Sequence, residues 1–319
     1  MDISAAIDDY LASKQNSITH DTYEWYSIYL TAFSVWCDAQ HLQELSAITP
    51  AHVQQFVAAA RTHNSHTRRA RAQIVKGFLS WCAADPEDLG VREKMVARIQ
   101  MPRLVRSDVS IFSYEDIQNL FHACDKTNHP HRNRALLHVL LDTGIRASEL
   151  CYDGDRPEEE TGLRMENVIL GRAGDSFIRI MGKGRKVRTV GLGEATQIAL
   201  RRYLNRERGR ASDNAFVFLN RSNEPLSVRM LQQLLRHLGE LAQVKDCHAH
   251  RFRHTFAIHH LLNGTSAMVL MQLLGHTSLE ATKIYTRALS EMQARKAAPS
   301  VVDRMKKARR QSKSVLDNL

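Results

Sequence analysis

The stretch HAHRFRHTF, residues 248–256, places three histidines and two arginines within nine positions. If the stretch is helical, His250 and Arg253 lie three residues apart and share a face. A single His-x-x-Arg pair on a helix is most simply a solvated polar face. So many cationic or proton-carrying side chains, with no acidic residue beside them, favour instead a site that receives an anion. Other segments of the chain decide between these two interpretations.

Three further segments carry side chains of the same kind. They are TGIRASEL (143–150) with Arg146, GKGRKVRTV (182–190) with Lys183, and LLGHTSLEATKIYTR (273–287) with His276 and Tyr285. Arg, Lys, His-x-x-Arg, His and Tyr therefore follow one another in that order, and the tyrosine comes nine positions after the last histidine.

This set suits attack on a phosphodiester by a tyrosine. Attack concentrates negative charge on the non-bridging oxygens, and preorganised arginine donors stabilise that charge without a metal ion. A tyrosine with a pKa of about 10 is a poor nucleophile at neutral pH, but neighbouring cations favour its phenolate and a histidine can take its proton. A covalent phosphotyrosine keeps the energy of the broken bond, so rejoining would need no ATP and no other cofactor.

The four strings resemble those of the tyrosine recombinases, the phage-integrase and Xer-like family of site-specific DNA recombinases. The family's strings are similar to T-G-x-R-x-S-E-L, G-K-G-x-K-x-R, H-x-x-R-H-T-F-A and L-L-G-H with a tyrosine nine residues after the histidine. All occur here in order between Thr143 and Thr286. The resemblance implies an enzyme that cleaves and rejoins DNA through a 3′-phosphotyrosyl intermediate, with sequential strand exchange through a Holliday junction.

The resemblance also implies which residues act. The implied catalytic set is Arg146, Lys183, His250, Arg253, His276 and Tyr285, with Glu149 behind the first arginine. The two arginines would clamp the scissile phosphate, and the lysine would protonate the leaving oxygen. The two histidines would hydrogen-bond the phosphate and assist proton transfer, and the tyrosine would be the nucleophile. No metal ion is implied, and His248, His259 and His260 lack Cys or acidic partners at ligand spacing.

Periodicity predicts a mainly α-helical chain. Trp25, Tyr29, Phe33 and Trp36 recur near helical spacing and form an apolar stripe. Ser113 with an acidic residue three positions later predicts a capped helix start. Within 176–192, Ile178 and Ile180 alternate with Arg179 before a glycine-containing turn and a second extended run, which predicts a β-hairpin.

The predicted domains are a helical DNA-binding domain over residues 1–103, a linker over 104–110, a catalytic domain over 111–290 and a basic tail over 291–319. The resemblance implies that the first is a SAM-like core-binding domain and that the second is mixed α/β with a small sheet. Together they would form a C-shaped clamp on duplex DNA. The tail would contact a neighbouring protomer or add basic charge. An acidic insertion at 152–161 departs from the family's pattern and is expected to stay off DNA.

The composition agrees with a polyanionic partner. The 319 residues carry a formal charge of +10, which favours binding to a polyanion. Basic surfaces can also increase solubility or bind anionic membranes, so the net charge alone does not identify the partner. The five cysteines are scattered without zinc spacing, which favours unpaired thiols in a reducing compartment. With no apolar run of 18 residues and no signal-peptide pattern, we expect a cytoplasmic, nucleoid-associated protein without membrane contact.

Several basic residues are candidate DNA contacts, although each also fits a solvated face. They are Arg68, Arg69, Arg71, Lys76, Arg185, Lys186 and Arg251. Lys186 and Arg188 could also compete with Lys183 for its role. His254 is expected to be a helix-packing residue rather than a catalyst.

The expected partners are double-stranded DNA with a specific recombination site and three further copies of the chain. The protein would be monomeric in free solution and tetrameric in the synaptic complex, with a DNA-bending protein or a partner recombinase as a possible accessory. Two alternatives stay open at this point. One is relaxation of DNA in the manner of a type IB topoisomerase, and the other is a DNA-binding regulator without catalysis.

Overall fold

The structure is a computed structural model that describes residues 2–59, 64–84, 90–104, 108–154, 161–171, 175–182, 186–209 and 214–297. The chain divides into two compact units, Met1–Ser107 and Asp108–Leu319. The prediction of a mainly helical chain with a small antiparallel sheet is confirmed. Within these ranges, no helix combines the length and the apolar character needed to cross a membrane.

The first unit consists of helices packed around one apolar core. Its helices are α1 (Ile3–Lys14), α2 (His20–Ala39), α3 (Pro50–Ala59), α4 (Ser65–Ala83) and α5 (Glu93–Ala97), with a 3-10 turn at Leu45–Ala47. Helix α4 begins after Asn64, whose side-chain oxygen accepts from the backbone N of Thr67 at 2.8 Å and so satisfies one free donor of the first turn. Phe33, Phe56 and Phe78 are fully buried at the centre of this core.

The predicted aromatic stripe of α2 packs against the core at every position except Trp25. Phe33 lies in the core, and the half-buried Trp36 packs on Phe56 with ring centroids 5.9 Å apart. Trp25, at the other end, is 51% exposed and contacts the ring of Tyr29 at 5.5 Å. The core itself extends along α2 beyond Trp25, because Tyr23 and Tyr26 pack against it. The stripe therefore identified most of the inward face, and Trp25 lies outside it.

The second unit surrounds a small sheet with helices. They are α6 (Tyr114–Cys124), α7 (Pro130–Thr143), α8 (Ala147–Leu150), α9 (Glu194–Tyr203), α10 (Val228–Ala242), α11 (Ala249–Leu262), α12 (Ala267–Leu274) and α13 (Glu280–Ala297), with a 3-10 turn at Met165–Asn167 and a π-helical turn at Leu204–Arg208. The start of α6 confirms the predicted capping box, since Ser113 and Asp116 each bond the other's backbone N.

The sheet is an antiparallel arrangement of β1 (Val168–Ile169), β2 (Phe177–Gly182) and β3 (Lys186–Gly191) within the described residues, in the order β1-β2-β3. The predicted hairpin is confirmed, and Ile178 and Ile180 point into the core. Ile180 pairs with Arg188. Because residues directly opposite one another share a face of the sheet, Arg188 also lies on the inner face. This places a charged side chain on the face of the sheet that packs into the core.

Arg251 fastens the start of the second unit to α11. Its guanidinium donates to the carbonyl of Ile111 at 2.9 Å, lies 3.4 Å from a carboxylate oxygen of Asp116 and stacks 4.1 Å from the centroid of Phe112. The side chain is only 11% exposed. DNA contact by Arg251 stays a prediction, and these bonds within the protein make it weaker.

Gly144 ends α7 and sets the direction of the chain toward Arg146. It adopts a left-handed conformation with φ 57°, which glycine tolerates at little cost. A Cβ at this position would lie 2.5 Å from Cδ1 of Phe256 and 3.1 Å from a methyl carbon of Leu274. The turn therefore needs glycine for its conformation and also for the close approach of α11 and α12.

We expect Gly144→Ala to destabilise the second unit more than Gly264→Ala does. Gly264 also has a positive φ, of 84°, but an added Cβ would meet nothing within 4 Å. Conformational strain alone should lower the free energy of unfolding by about 1–3 kcal/mol in Gly264→Ala. The clash with Phe256 should add about 1–3 kcal/mol in Gly144→Ala. Urea denaturation of both variants checks this, and equal losses would contradict the packing argument.

Candidate active site

Helix α11 lies at the centre of the candidate site and packs against α7, α12 and α13. His248 is its N-cap, and Nδ1 of that side chain accepts from the backbone N of Arg251 at 3.2 Å. His250, Arg253 and His254 follow within its first turns. The loops after α7 and α12 bring Arg146 and His276 to the same region, and α13 brings Tyr285. Three of the four strings thus meet around one helix.

Arg253 is a buried cation held by two backbone carbonyls. It is 2% exposed, and it donates to the carbonyl of Gly144 at 2.7 Å and to that of Leu274 at 2.6 Å. Burial, and then the nearby charge of Arg146, lower the pKa of Arg253 to about 10. The guanidinium therefore stays charged at neutral pH. Its two hydrogen bonds link the loop that carries Arg146 with the loop that carries His276.

Glu149 is a buried carboxylate between two arginines. It accepts from Arg188 at 2.8 and 2.7 Å in a bidentate pair, and from Nη1 and the backbone N of Arg146, both at 2.8 Å. Burial alone would raise the pKa of Glu149, but these bonds, led by those of Arg188, keep it below the ordinary value. Glu149 is thus ionised and orients Arg146, whose side chain remains 40% exposed and can reach a ligand.

Arg188 is a site residue that the sequence analysis missed. It was considered only as a competitor of Lys183, yet it pairs with Glu149 and donates to the carbonyl of Leu273 at 2.9 Å. The hairpin's alternation carried the signal, because Arg188 and Val190 occupy the face on which Ile178 and Ile180 point inward. A charged residue on a core face needs a buried partner.

Tyr285 lies in an apolar cluster with Phe256, Ile258 and Leu270 and is 2% exposed. Burial raises the pKa of its phenol, while the charges of Arg253 and then Arg146 act in the opposite direction. The resting phenol is therefore protonated, and the same arginines favour the phenolate that attack requires.

His254, which was expected to be a helix-packing residue rather than a catalyst, lies against the phenol. Its Nδ1 is 3.2 Å from the phenol oxygen of Tyr285, and its ring meets that of His250 edge-on at 4.4 Å. Burial, followed by the charge of His250, lowers the pKa of His254 to about 4, so the ring is neutral at pH 7. Sequence spacing could not find this contact, because α11 and α13 meet only in the fold.

His276 is oriented by Thr282. Its Nδ1 lies 2.9 Å from the hydroxyl oxygen of the fully buried Thr282, and its ring stacks nearly parallel to that of Tyr285 with centroids 6.3 Å apart. Burial and then the charge of Arg253 lower the pKa of His276 to about 4. The hydroxyl contact occupies Nδ1 and leaves Nε2 as the nitrogen that can bond a ligand.

A groove of about 970 Å³ lies beside the start of α11. Arg146, His250 and Arg253 line it on one side, and Arg236 and Lys245 line it elsewhere. The pKa of His250 is lowered by partial desolvation and then by Arg253, so this ring too is neutral at pH 7. The groove thus combines fixed positive charge with neutral imidazoles that can exchange protons.

Two candidates of the hairpin turn, Lys183 and Arg185, lie outside the described residues, and so does the side chain of Lys186. The turn joins Gly182 to Lys186, which pair across β2 and β3. Most of the acidic insertion (155–160) and the end of the tail (298–319) also lie outside the described residues. Predictions about these segments stay predictions.

The basic residues of α4 are partly used within the first unit. Arg69 donates to the carbonyl of Pro102 at 3.0 Å, and Lys76 donates to that of Ile99 at 3.3 Å. Arg71 stacks 4.1 Å from the centroid of Phe56. Arg68 is half-buried. DNA contact by these residues stays a prediction, and the bonds of Arg69 and Lys76 make it weaker for those two.

The ranges that the structure describes contain no group of three or more His, Cys, Asp or Glu side chains that could hold a metal ion. His248 caps α11, and Nδ1 of His260 lies 3.1 Å from the hydroxyl of Thr265. Chemistry without a metal ion stays a prediction.

The profile of the phage integrase family matches residues 111–292. The chain belongs to the phage integrase family. It is 29% identical to tyrosine recombinase XerC of Oceanobacillus iheyensis over 290 residues, which cover 89% of this chain and 90% of the relative. It is 31% identical to tyrosine recombinase XerD of Corynebacterium glutamicum over 270 residues, which cover 80% of this chain and 84% of the relative.

The fold agrees with a solved structure of the XerH site-specific recombinase bound to a palindromic difH substrate. The TM-score is 0.69, with 18% identity over 92% of this chain and 83% of that one. The resemblance to the tyrosine recombinases is therefore confirmed, and the enzyme class is that of a tyrosine-type site-specific DNA recombinase.

We expect Arg188→Met to destabilise this phage integrase family member strongly. The substitution leaves the buried Glu149 with Arg146 as its remaining ion-pair partner. Breaking a buried ion pair costs about 3–5 kcal/mol. The matched control is Arg134→Met, which removes a bidentate partner from Asp125 where both side chains are at least one-third exposed. That control should cost about 1 kcal/mol or less. Similar losses in denaturant titrations of the two variants would contradict the structural role of Arg188.

Proposed function

We propose that this enzyme cleaves one DNA strand at a time by attack of Tyr285 on a phosphodiester that Arg146 and Arg253 bind. The observation that supports this best is the convergence of both arginines, His250, His276 and the tyrosine around α11. Two of these groups are fixed cations, and the buried Glu149 neutralises only part of the charge around it. The site therefore favours an incoming phosphate.

The order of events follows from the charges. A phosphate bound between Arg146 and Arg253 places phosphorus beside the phenol oxygen. As the bond from that oxygen to phosphorus forms, charge on the non-bridging oxygens grows, and the arginine donors bind the transition state more strongly than the substrate. His250 and Nε2 of His276 donate to the same oxygens in this proposal. Lys183 supplies the proton for the leaving 5′ oxygen.

The wider proposal concerns the whole DNA complex. The first unit and the groove of the second unit would contact opposite sides of a duplex, with the basic charge of +10 supplying affinity that falls with salt. Four protomers would exchange strands in sequence through a Holliday junction, and the basic tail would link neighbours. Because the substrate is DNA, the protein would act on the nucleoid in the cytoplasm.

The test of the nucleophile is a covalent adduct. We expect wild-type protein, in EDTA, to form a protein–DNA adduct on nicked duplexes drawn from the sequence flanking its gene, because a nick lets the released strand diffuse away. Tyr285→Phe should form none while binding the same duplexes. Denaturing gels measure both, and Tyr114→Phe, which alters an exposed tyrosine, is the matched control. An adduct in Tyr285→Phe would overturn the assignment.

Strand exchange between two marked duplexes then distinguishes recombination from relaxation alone. Exchange that requires two copies of the site is the expected result. Relaxation of supercoiled DNA without any exchange would favour topoisomerase chemistry instead.

We expect Arg146→Ala to lower the single-turnover cleavage rate by about 10²–10³-fold, as the loss of one transition-state donor does. Arg146 is the sharper choice of the two arginines, because Arg253 is buried and its removal also leaves two carbonyls unpaired. Arg202→Ala, at an exposed arginine of α9, should cleave at the wild-type rate. Wild-type cleavage by Arg146→Ala would place the phosphate elsewhere.

A further inference from the structure

The two histidines of the implied catalytic set are His250 and His276. Both contact other side chains of the protein, and neither has a described hydrogen bond to the phenol of Tyr285. His276 directs Nδ1 to Thr282, and the ring of His250 packs on His254. The phenol oxygen of Tyr285 instead lies 3.2 Å from Nδ1 of His254, a residue outside the implied set. The hydrogen bond to the nucleophile thus belongs to a histidine to which no catalytic role was given.

The direction of this bond depends on the tautomer of His254. When the ring carries its proton on Nε2, the unprotonated Nδ1 accepts the proton of the phenol O–H. Burial raises the pKa of the phenol, while the charges of Arg253 and then Arg146 favour loss of its proton. A neutral His254 is therefore placed to receive a proton from the nucleophile.

We propose that His254 is the base that removes the proton of Tyr285 during attack and returns it during rejoining. This inference rests on the proposed function, in which Tyr285 is the nucleophile. The O–H bond of Tyr285 breaks and its proton passes to Nδ1 of His254. The electron pair of that bond stays on the oxygen, which forms the bond to phosphorus. The bond from phosphorus to the 5′ oxygen breaks with its electron pair, and that oxygen takes a proton from Lys183.

The charges around His254 make proton transfer depend on the substrate. His250, His248 and Arg253 face it from its own helix, and Tyr285 faces it from α13. Without DNA, positive charge and burial disfavour the imidazolium. A phosphate bound to the arginines brings negative charge close to the ring, and this charge favours the imidazolium that the transfer creates. The base therefore strengthens when the phosphate arrives.

The deciding experiment compares His254→Asn with His254→Ala in single-turnover cleavage of the nicked duplexes between pH 6 and 9. Asn keeps a hydrogen-bonding group near the position of Nδ1 but cannot take a proton. We expect both variants to cleave about 10²–10⁴-fold more slowly than wild type at pH 7, the range that loss of a general base produces. Their rates should rise about tenfold per pH unit as hydroxide replaces the base, whereas the wild-type rate should stay nearly flat. Added imidazole should restore cleavage in His254→Ala.

Two controls separate the possible failures. His260→Asn removes another half-buried histidine of α11, one bonded to Thr265 and not to the tyrosine, and it should cleave as wild type does. Tyr285→Phe tests the proposed function on the same duplexes. If His254→Asn cleaves at the wild-type rate while Tyr285→Phe forms no adduct, the base assignment is wrong and the nucleophile stands. If Asn restores cleavage that Ala has lost, His254 only positions the phenol, and the proton goes elsewhere.

A measurement on the wild-type protein covers the case in which the variants do not fold. With ¹⁵N-labelled histidine, the proposal requires an unprotonated Nδ1 on His254 at pH 7, and its resonance should shift when Tyr285→Phe removes the phenol. A protonated Nδ1 on His254 would overturn the proposal without any activity assay. So would a His254 Nδ1 resonance that stays unchanged in Tyr285→Phe.

Discussion

The site depends on the burial of one guanidinium. Arg253 has left water, so its donors need partners within the protein, and the backbone carbonyls of Gly144 and Leu274 supply two of them. Those carbonyls belong to the ends of α7 and α12, the helices that lead into Arg146 and His276. One buried side chain thereby fixes the relative positions of three segments that are far apart in the sequence. The left-handed turn at Gly144 belongs to the same arrangement, because a Cβ there would strike Phe256 on the helix of Arg253.

A second buried charge balances the first. Glu149 lies beneath Arg146, and Arg188 reaches it from the inner face of the hairpin. One carboxylate among three arginines leaves net positive charge, and Arg146 is the arginine whose side chain stays open to the groove. The protein thus uses its carboxylate to orient a donor rather than to cancel the site's charge. An anion that enters the groove completes the pairing, which is the preorganisation that phosphoryl transfer needs.

Much of the local structure could be predicted from the sequence, because its causes are local. The capping box of Ser113 and the hairpin around Ile178 and Ile180 follow from short-range patterns and are confirmed. The alternation of the hairpin marks Arg188 as inward-facing. The partners of His254, Arg188 and Arg251 could not be predicted in this way, because each lies in a distant segment. Arg251 illustrates the difficulty: a basic residue inside a cationic motif suggests DNA contact, yet it holds the carbonyl of Ile111 and the ring of Phe112. Charge in a sequence does not reveal whether its partner is a ligand or the protein.

The protonation states of Tyr285 and its neighbouring histidines explain how these groups coexist in the resting site. Burial raises the pKa of Tyr285 and, together with neighbouring positive charge, lowers the pKa of both His254 and His276 to about 4. Without DNA, Tyr285 therefore keeps its proton and the two imidazoles stay neutral. A bound phosphate acts on all three groups through the same arginines, since its charge offsets theirs and makes protonated imidazole less costly. In the proposed mechanism, electrostatics thus couple the loss of the Tyr285 proton to phosphate binding.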